Sequence, residues 1–99
     1  MLKYRSKYSW LANEEIVLLI NHYIRNADHR YIVTKRLVFQ TTYEKLSEET
    51  EKYCSHPYCV KQVKNIVKKC EDELFLNVER MKKEARNDLT IVRKKIKML

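Results

Sequence analysis

Glycine is absent from this chain, and proline occurs once, at Pro57. Tight hairpin turns draw on glycine for positive φ, and Rossmann or Walker loops need it so that backbone can approach phosphate. Both are excluded, and an all-α architecture is the simplest consistent reading. No run of about 18 apolar residues occurs, so no membrane-spanning helix is expected. The start Met1-Leu2-Lys3-Tyr4-Arg5 is followed by polar residues and lacks the apolar core of a signal peptide. Cysteine is scarce and odd in number, at 3. That argues against a secreted disulfide scaffold and for a reducing, intracellular compartment. Acid is short as well, with 13 Asp+Glu against 21 Lys+Arg and a formal net charge of +8. Such a balance favours a polyanionic partner, nucleic acid or an anionic membrane surface. With 44% hydrophobic and 10% aromatic residues the chain is too apolar for a disordered basic tail, and 99 residues make one domain.

What is present reads as helices. Residues 1–9 form a short basic arm with Lys3, Arg5 and Lys7 at alternate positions, expected to lack fixed structure until something binds it. A first helix is predicted from Asn13 to Arg25, capped by Asn13, with Glu14 and Glu15 in the first turn where the helix dipole favours them. Ile16, Leu19, Ile20 and Tyr23 make its stripe, and Asn26-Ala27-Asp28 reads as its stop. A second helix is predicted from Lys35 to Tyr53, with Phe39, Tyr43, Leu46, Thr50 and Tyr53 at three- and four-residue steps. Thr34 is one candidate cap, and the box Thr41-x-x-Glu44 offers a later start. Pro57 suits the first turn of the next helix.

The third helix is the longest. Its apolar positions run Val60, Val63, Val67, Cys70, Leu74, Val78, Met81, Ala85, Leu89, Val92, Ile96 and Leu99, every step three or four. Uninterrupted, it would reach roughly 60 Å at 1.5 Å per residue. A core of residues 10–76 cannot cover all of that stripe. The basic amphipathic stretch 77–99 is therefore expected to use Leu89, Val92, Ile96 and Leu99 against a helical partner, foremost the same helix of a second chain. A break at Asn87-Asp88, starting a short fourth helix folded back on the core, is the alternative. Phe75 and Leu76 are out of phase with the stripe, and either contact the first two helices or form an exposed patch.

The first turns of this helix separate into two faces. Val60, Val63, Ile66, Val67 and Cys70 fall on one side, and Lys61, Gln62, Lys64, Asn65, Lys68 and Lys69 on the other, without an acid. Solvated helix faces ordinarily mix signs, because opposite charges at i,i+4 support the helix and like charges repel. A face of one sign suits an anionic partner. The amides of Gln62 and Asn65 can pair with a base edge as donor and acceptor together. The pattern is that of a helix lying in a DNA groove, with Arg5 and Lys7 as a phosphate- or minor-groove-contacting arm.

Several stretches together resemble a known family. The run Trp10-Leu11-Ala12-Asn13-Glu14-Glu15-Ile16-Val17-Leu18-Leu19 resembles the opening of Myb/SANT-like domains of the zeste and trihelix type. Thr42-Tyr43-Glu44-Lys45-Leu46-Ser47-Glu48-Glu49 looks like the family's second helix, with Tyr43 where the family has tryptophan. Gln62 to Cys70 looks like the third helix, and Met81 to Leu89 is similar to the basic stretch that often follows. Val67 stands where a third aromatic is expected, and Cys59 where a capping threonine is common. The resemblance covers about residues 8–90. It implies a three-helix, helix-turn-helix-like bundle over residues 10–76, with the third helix in the major groove of double-stranded DNA, in a nuclear transcription or chromatin regulator. SANT-like domains can also bind proteins, so an interaction or dimerisation domain without sequence-specific DNA binding is the competing expectation.

Other constellations carry less. Cys54, His56, Cys59 and Cys70 invite a zinc reading, but Cys54 to Cys59 is wider than the usual paired spacing, and Cys70 is in phase with the apolar stripe. His22 and His29 have no evident nucleophile beside them, and Glu14-Glu15 is explained by the helix start. No catalytic residue, metal or cofactor is expected.

Overall fold

The computed structural model describes residues 7–99. Among the described residues five helices are bounded, and there is no strand: α1 (Asn13–Tyr23), α2 (Ala27–Leu37), α3 (Tyr43–Tyr53), α4 (Val60–Glu84) and α5 (Leu89–Lys97). None is long and apolar enough to cross a membrane. The all-α expectation holds, but the division into elements differs from the sequence reading in three places.

At the first helix, Ala12 rather than Asn13 occupies the cap position. Alanine has no side-chain acceptor, and the Glu15 carboxylate takes the Ala12 N–H instead, at 2.8 Å. Asn26-Ala27-Asp28 is both a stop and a start: the Asn26 side chain accepts from the His29 N–H and opens α2. Arg30 reaches back to the carbonyls of Ile24 and Arg25, satisfying the end of α1. α1 and α2 are thus locked across a three-residue connection.

The single helix expected from Lys35 to Tyr53 is two helices. The chain turns over residues 38–42, with Gln40 at a positive φ of 55°. Thr42, not Thr34 or Thr41, caps α3 by accepting from the Lys45 N–H. Two residues of the expected buried stripe consequently face water: Phe39 is 65% exposed and Tyr53 60%.

The long apolar stripe is correct in phase but not in continuity. α4 stops at Ala85, where Arg86 and Asn87 take positive φ values of 51° and 63°. The Asn87 N–H bonds the Lys82 carbonyl, closing the end. Asp88 then caps α5, accepting from the N–H groups of Thr90 and Ile91. The folded-back alternative describes this chain.

Two groups of buried side chains hold the helices together. The larger runs from Tyr8 and Leu11 through Ile16, Leu19 and Ile20 of α1 and Leu74, Phe75 and Val78 of α4 to Val92 and Ile96 of α5. The smaller joins Ile32 of α2, Leu46 of α3, and Val63 and Val67 of α4. Val67, standing where the resemblance expects an aromatic, is packed with Ile32 from the helix that the sequence pattern does not reveal. Phe75 and Leu76 divide: Phe75 is buried and stacks on Tyr8 with ring centroids 4.2 Å apart, while Leu76 is 71% exposed. Tyr8 therefore belongs to the core and not to a free arm, and the stretch from Val78 to Ile96 shares that core.

Candidate nucleic-acid interface

The direction of α4 is set at its first turn. The connection from α3, residues 54–59, is tied at both sides. The Asp28 carboxylate accepts from the Ser55 N–H, the Ser55 hydroxyl and the Tyr58 hydroxyl. The Ser55 hydroxyl bond leads in holding that carboxyl below its usual range. On the other side, Thr50 Oγ1 accepts the Tyr58 N–H at 2.9 Å, and the Ser47 hydroxyl donates to the Tyr58 carbonyl at 2.7 Å. Pro57 lies two residues before the cap, Cys59, and so outside the helix rather than in its first turn. Val63 and Val67 then seat α4 on α2 and α3.

This seating turns Lys61, Lys64, Asn65, Lys68 and Lys69 outward, all exposed. Among the described residues none of those four lysines takes part in an ion pair. Other cations do: Lys7 and Lys82 meet Glu79, Arg93 meets Glu15, and Lys95 meets Glu84. Lys64 is steadied by an aromatic ring, its ammonium 5.5 Å from the centroid of Tyr43. Arg36 of α2 lies over the same ring at 4.0 Å. The basic face thus extends from α4 across Tyr43 to Arg36 in the last turn of α2, an extension hidden from sequence because α2 itself is hidden.

The expected residues do not all share one surface. Lys69 lies on the flank toward α1, where with Arg25, His29 and Glu73 it lines a shallow cavity of about 260 Å³. Gln62 is exposed, but its side-chain oxygen accepts the Cys59 N–H at 2.9 Å and closes the start of α4. Gln62 thereby satisfies the N–H of the cap residue itself, the reciprocal half of a capping box. Asn65 carries no such role in the fold. Arg5 lies outside the described residues, and Lys7 is exposed, held between Glu79 at 3.5 Å and the Tyr8 ring at 5.4 Å.

Under the face, Glu71 is buried at 8% exposure. Burial pushes its carboxyl up to about 7, against the opposing charge of Arg36 and with the aid of Asp72. Arg36 donates from Nη1 to the Thr41 carbonyl, while its buried Nε has no hydrogen-bond partner among the described residues.

The partner-binding stripe is mostly occupied within the chain. Val92 and Ile96 are fully buried against α1 and α4, Leu89 is half-buried, and only Leu99 is exposed, at 38%. Their packing fills the role expected of a second chain. The cysteines are all free, Cys54 half-buried, Cys59 exposed and Cys70 buried. Burial pushes the Cys70 thiol up to about 11. Among the described residues no three His, Cys, Asp or Glu side chains converge as metal ligands. No protein-family model, curated protein or solved structure matches the chain, so the likeness to Myb/SANT-like domains rests on the sequence motifs themselves.

Proposed function

We propose that the chain is a double-stranded-DNA-binding module that lays the first three turns of α4 in the major groove. One observation carries this reading. Lys61, Lys64 and Lys68 stand exposed together on one face of α4, with no acid in the first three turns of the helix and no ion pair among the described residues. Lys61, Lys64 and Lys68 set the register on phosphates, with Arg36 extending the contact at the end of α2. Asn65 reads a base edge, preferably adenine. Gln62 is reassigned from reader to cap, because its oxygen is engaged at Cys59. The surrounding arrangement, α3 and α4 joined by a tied connection over a shared apolar contact, supports a helix-turn-helix-like use of α4 in a nuclear DNA-associated protein.

The test is binding to short duplexes over a salt series. Lys64→Ala with Lys68→Ala should weaken binding to every duplex and reduce the log–log salt slope by about 0.9 for each phosphate left without its lysine. Asn65→Ala should instead lower preference for the best selected site by roughly 1–3 kcal/mol, with non-specific affinity nearly intact. Equal affinity of the double lysine variant and the parent at low salt would remove α4 from the interface.

A further inference from the structure

A second surface, adjoining the extended α4 face at the end of α2, is formed by the exposed side of α2 and the last turn of α3. Tyr31 and Lys35 lie one helical turn apart on α2, and Phe39 follows just past its end. Tyr53, at the end of α3, stacks on Tyr31 with centroids 5.7 Å apart and planes inclined by 29°. The Lys35 ammonium sits over two rings, 5.9 Å from the Tyr31 centroid and 5.0 Å from that of Phe39. Lys52 lies 5.6 Å from the centroid of Tyr53. The ridge thus runs Lys52, Tyr53, Tyr31, Lys35, Phe39, with a lysine against each ring. Its two outer rings stand largely in water, Phe39 at 65% and Tyr53 at 60% exposure.

A ring left in water is a poor use of apolar surface unless something covers it. Lys35 and Lys52 form no ion pair among the described residues. The Glu49 carboxylate beside the ridge accepts from the Tyr31 hydroxyl at 3.0 Å. Of the remaining acids of α3, Glu44 and Glu51 fall opposite Tyr53 by the 3.6-residue period, while Glu48 lies one turn before Lys52 and forms no ion pair with it among the described residues.

We infer that this ridge binds single-stranded nucleic acid, with unpaired bases stacking on Phe39 and Tyr53 and the lysines turning to the phosphates. Flat rings accept any base by its π-face, and an ammonium that rests on a ring in the free protein is already placed beside the backbone of a strand stacked there. A purely apolar partner would have no use for the two lysines, and a purely anionic one no use for the rings. The inference is independent of the duplex reading, since it employs neither Lys64 nor Lys68.

The experiment uses the full chain and a fluorescein-labelled oligothymidylate of about twelve nucleotides, titrated at low salt beside a duplex of the same length. Saturable binding of the single strand is expected, weakened about tenfold by Phe39→Ala and again by Tyr53→Ala. Tyr53→Phe should retain it, because the ring and not the hydroxyl does the stacking. Duplex affinity and the thermal midpoint should be unchanged in these variants, since both side chains are more than half exposed. Lys64→Ala with Lys68→Ala should show the converse, a loss on duplex with the alanine effects on the single strand preserved. Absence of saturable binding to the oligothymidylate, or unchanged affinity in both alanine variants, would overturn the proposal. So would stronger binding of an acidic, aromatic-rich peptide at the same residues, which would make the ridge a protein-docking face.

Discussion

The Glu15 side chain is 1% exposed, and its carboxylate accepts from the Ala12 N–H and, through both oxygens, from Arg93 Nε at 3.1 and 3.0 Å. Burial acts to raise its pKa, but the bonds from Arg93 and Ala12 prevail and the carboxyl is lowered from its usual 4.5. A carboxylate lowered in the folded state contributes stability above its unfolded pKa and loses it as pH falls through the folded value. Glu71 has the opposite sign. Its carboxyl rises from 4.5 to about 7, so the folded chain holds that proton more tightly and loses stability as pH climbs from 4.5 through 7. Taken together, these two groups favour the folded chain most at mildly acid pH. Glu71→Gln should make the chain more stable than the parent at pH 8, by about 1–3 kcal/mol, and leave it nearly equal at pH 5. Urea unfolding at the two pH values measures this, and an equal difference at both would show that Glu71 does not titrate between them. Glu15→Gln should cost roughly 1–3 kcal/mol at pH 7 and make the acid limb less steep. From sequence, Glu15 is legible only as first-turn chemistry. Its partner Arg93 lies 78 residues away, and no local pattern announces a contact of that range.

At the scale of the elements, a chain without glycine still needs left-handed backbone, and Gln40, Arg86 and Asn87 provide it. Asparagine tolerates this region through its short polar side chain, whereas arginine has no such advantage. Arg86→Gly should therefore be neutral or stabilising by up to about 1 kcal/mol, the relief of strain being partly offset by the freer unfolded chain. Arg86→Val, with its branched Cβ, should destabilise by about 1 kcal/mol or more. Thermal midpoints of the two variants decide it, and two equal losses would deny the turn its role. The same turn explains which elements are legible. Ala85, Leu89, Val92 and Ile96 keep three- and four-residue steps across the break, so periodicity predicts the correct buried face and a wrongly continuous helix. Asp88 signals the true start of α5 by its capping chemistry. α2 escapes for another reason: its buried residues Ile32, Val33 and Leu37 make only a short stripe, and Asn26 ends one helix while opening the next. Without α2, periodicity places Phe39 and Tyr53 in the interior, and the ridge they form cannot be anticipated. The α4 face needs only one helix's own phase, and all six of its polar residues are exposed as expected.

At the scale of the whole molecule, Tyr8 and α5 close the described fold from two sides. Tyr8 covers Phe75 from the N-terminal side, and its hydroxyl donates to Glu79, while α5 lies over α1 and α4 with Val92 and Ile96 fully buried. The C-terminal segment is thereby part of the fold that presents α4. Each of the two buried side chains contributes roughly 1.5–3 kcal/mol, and removal of Arg93 would leave the Glu15 carboxylate inside the protein without its counterion. Domains of this size are stable by only about 5–15 kcal/mol in total. A chain truncated after Ala85 should therefore melt far below the parent or fail to fold cooperatively. Ile96→Ala, which leaves the Arg93–Glu15 pair in place, should lower stability by about 2–5 kcal/mol through the cavity it opens. Sedimentation at micromolar concentration completes the test. With the stripe occupied inside the chain, the parent should sediment as a single copy. A parent dimer that truncation converts into a well-folded monomer would instead mean that Val92 and Ile96 pack between chains.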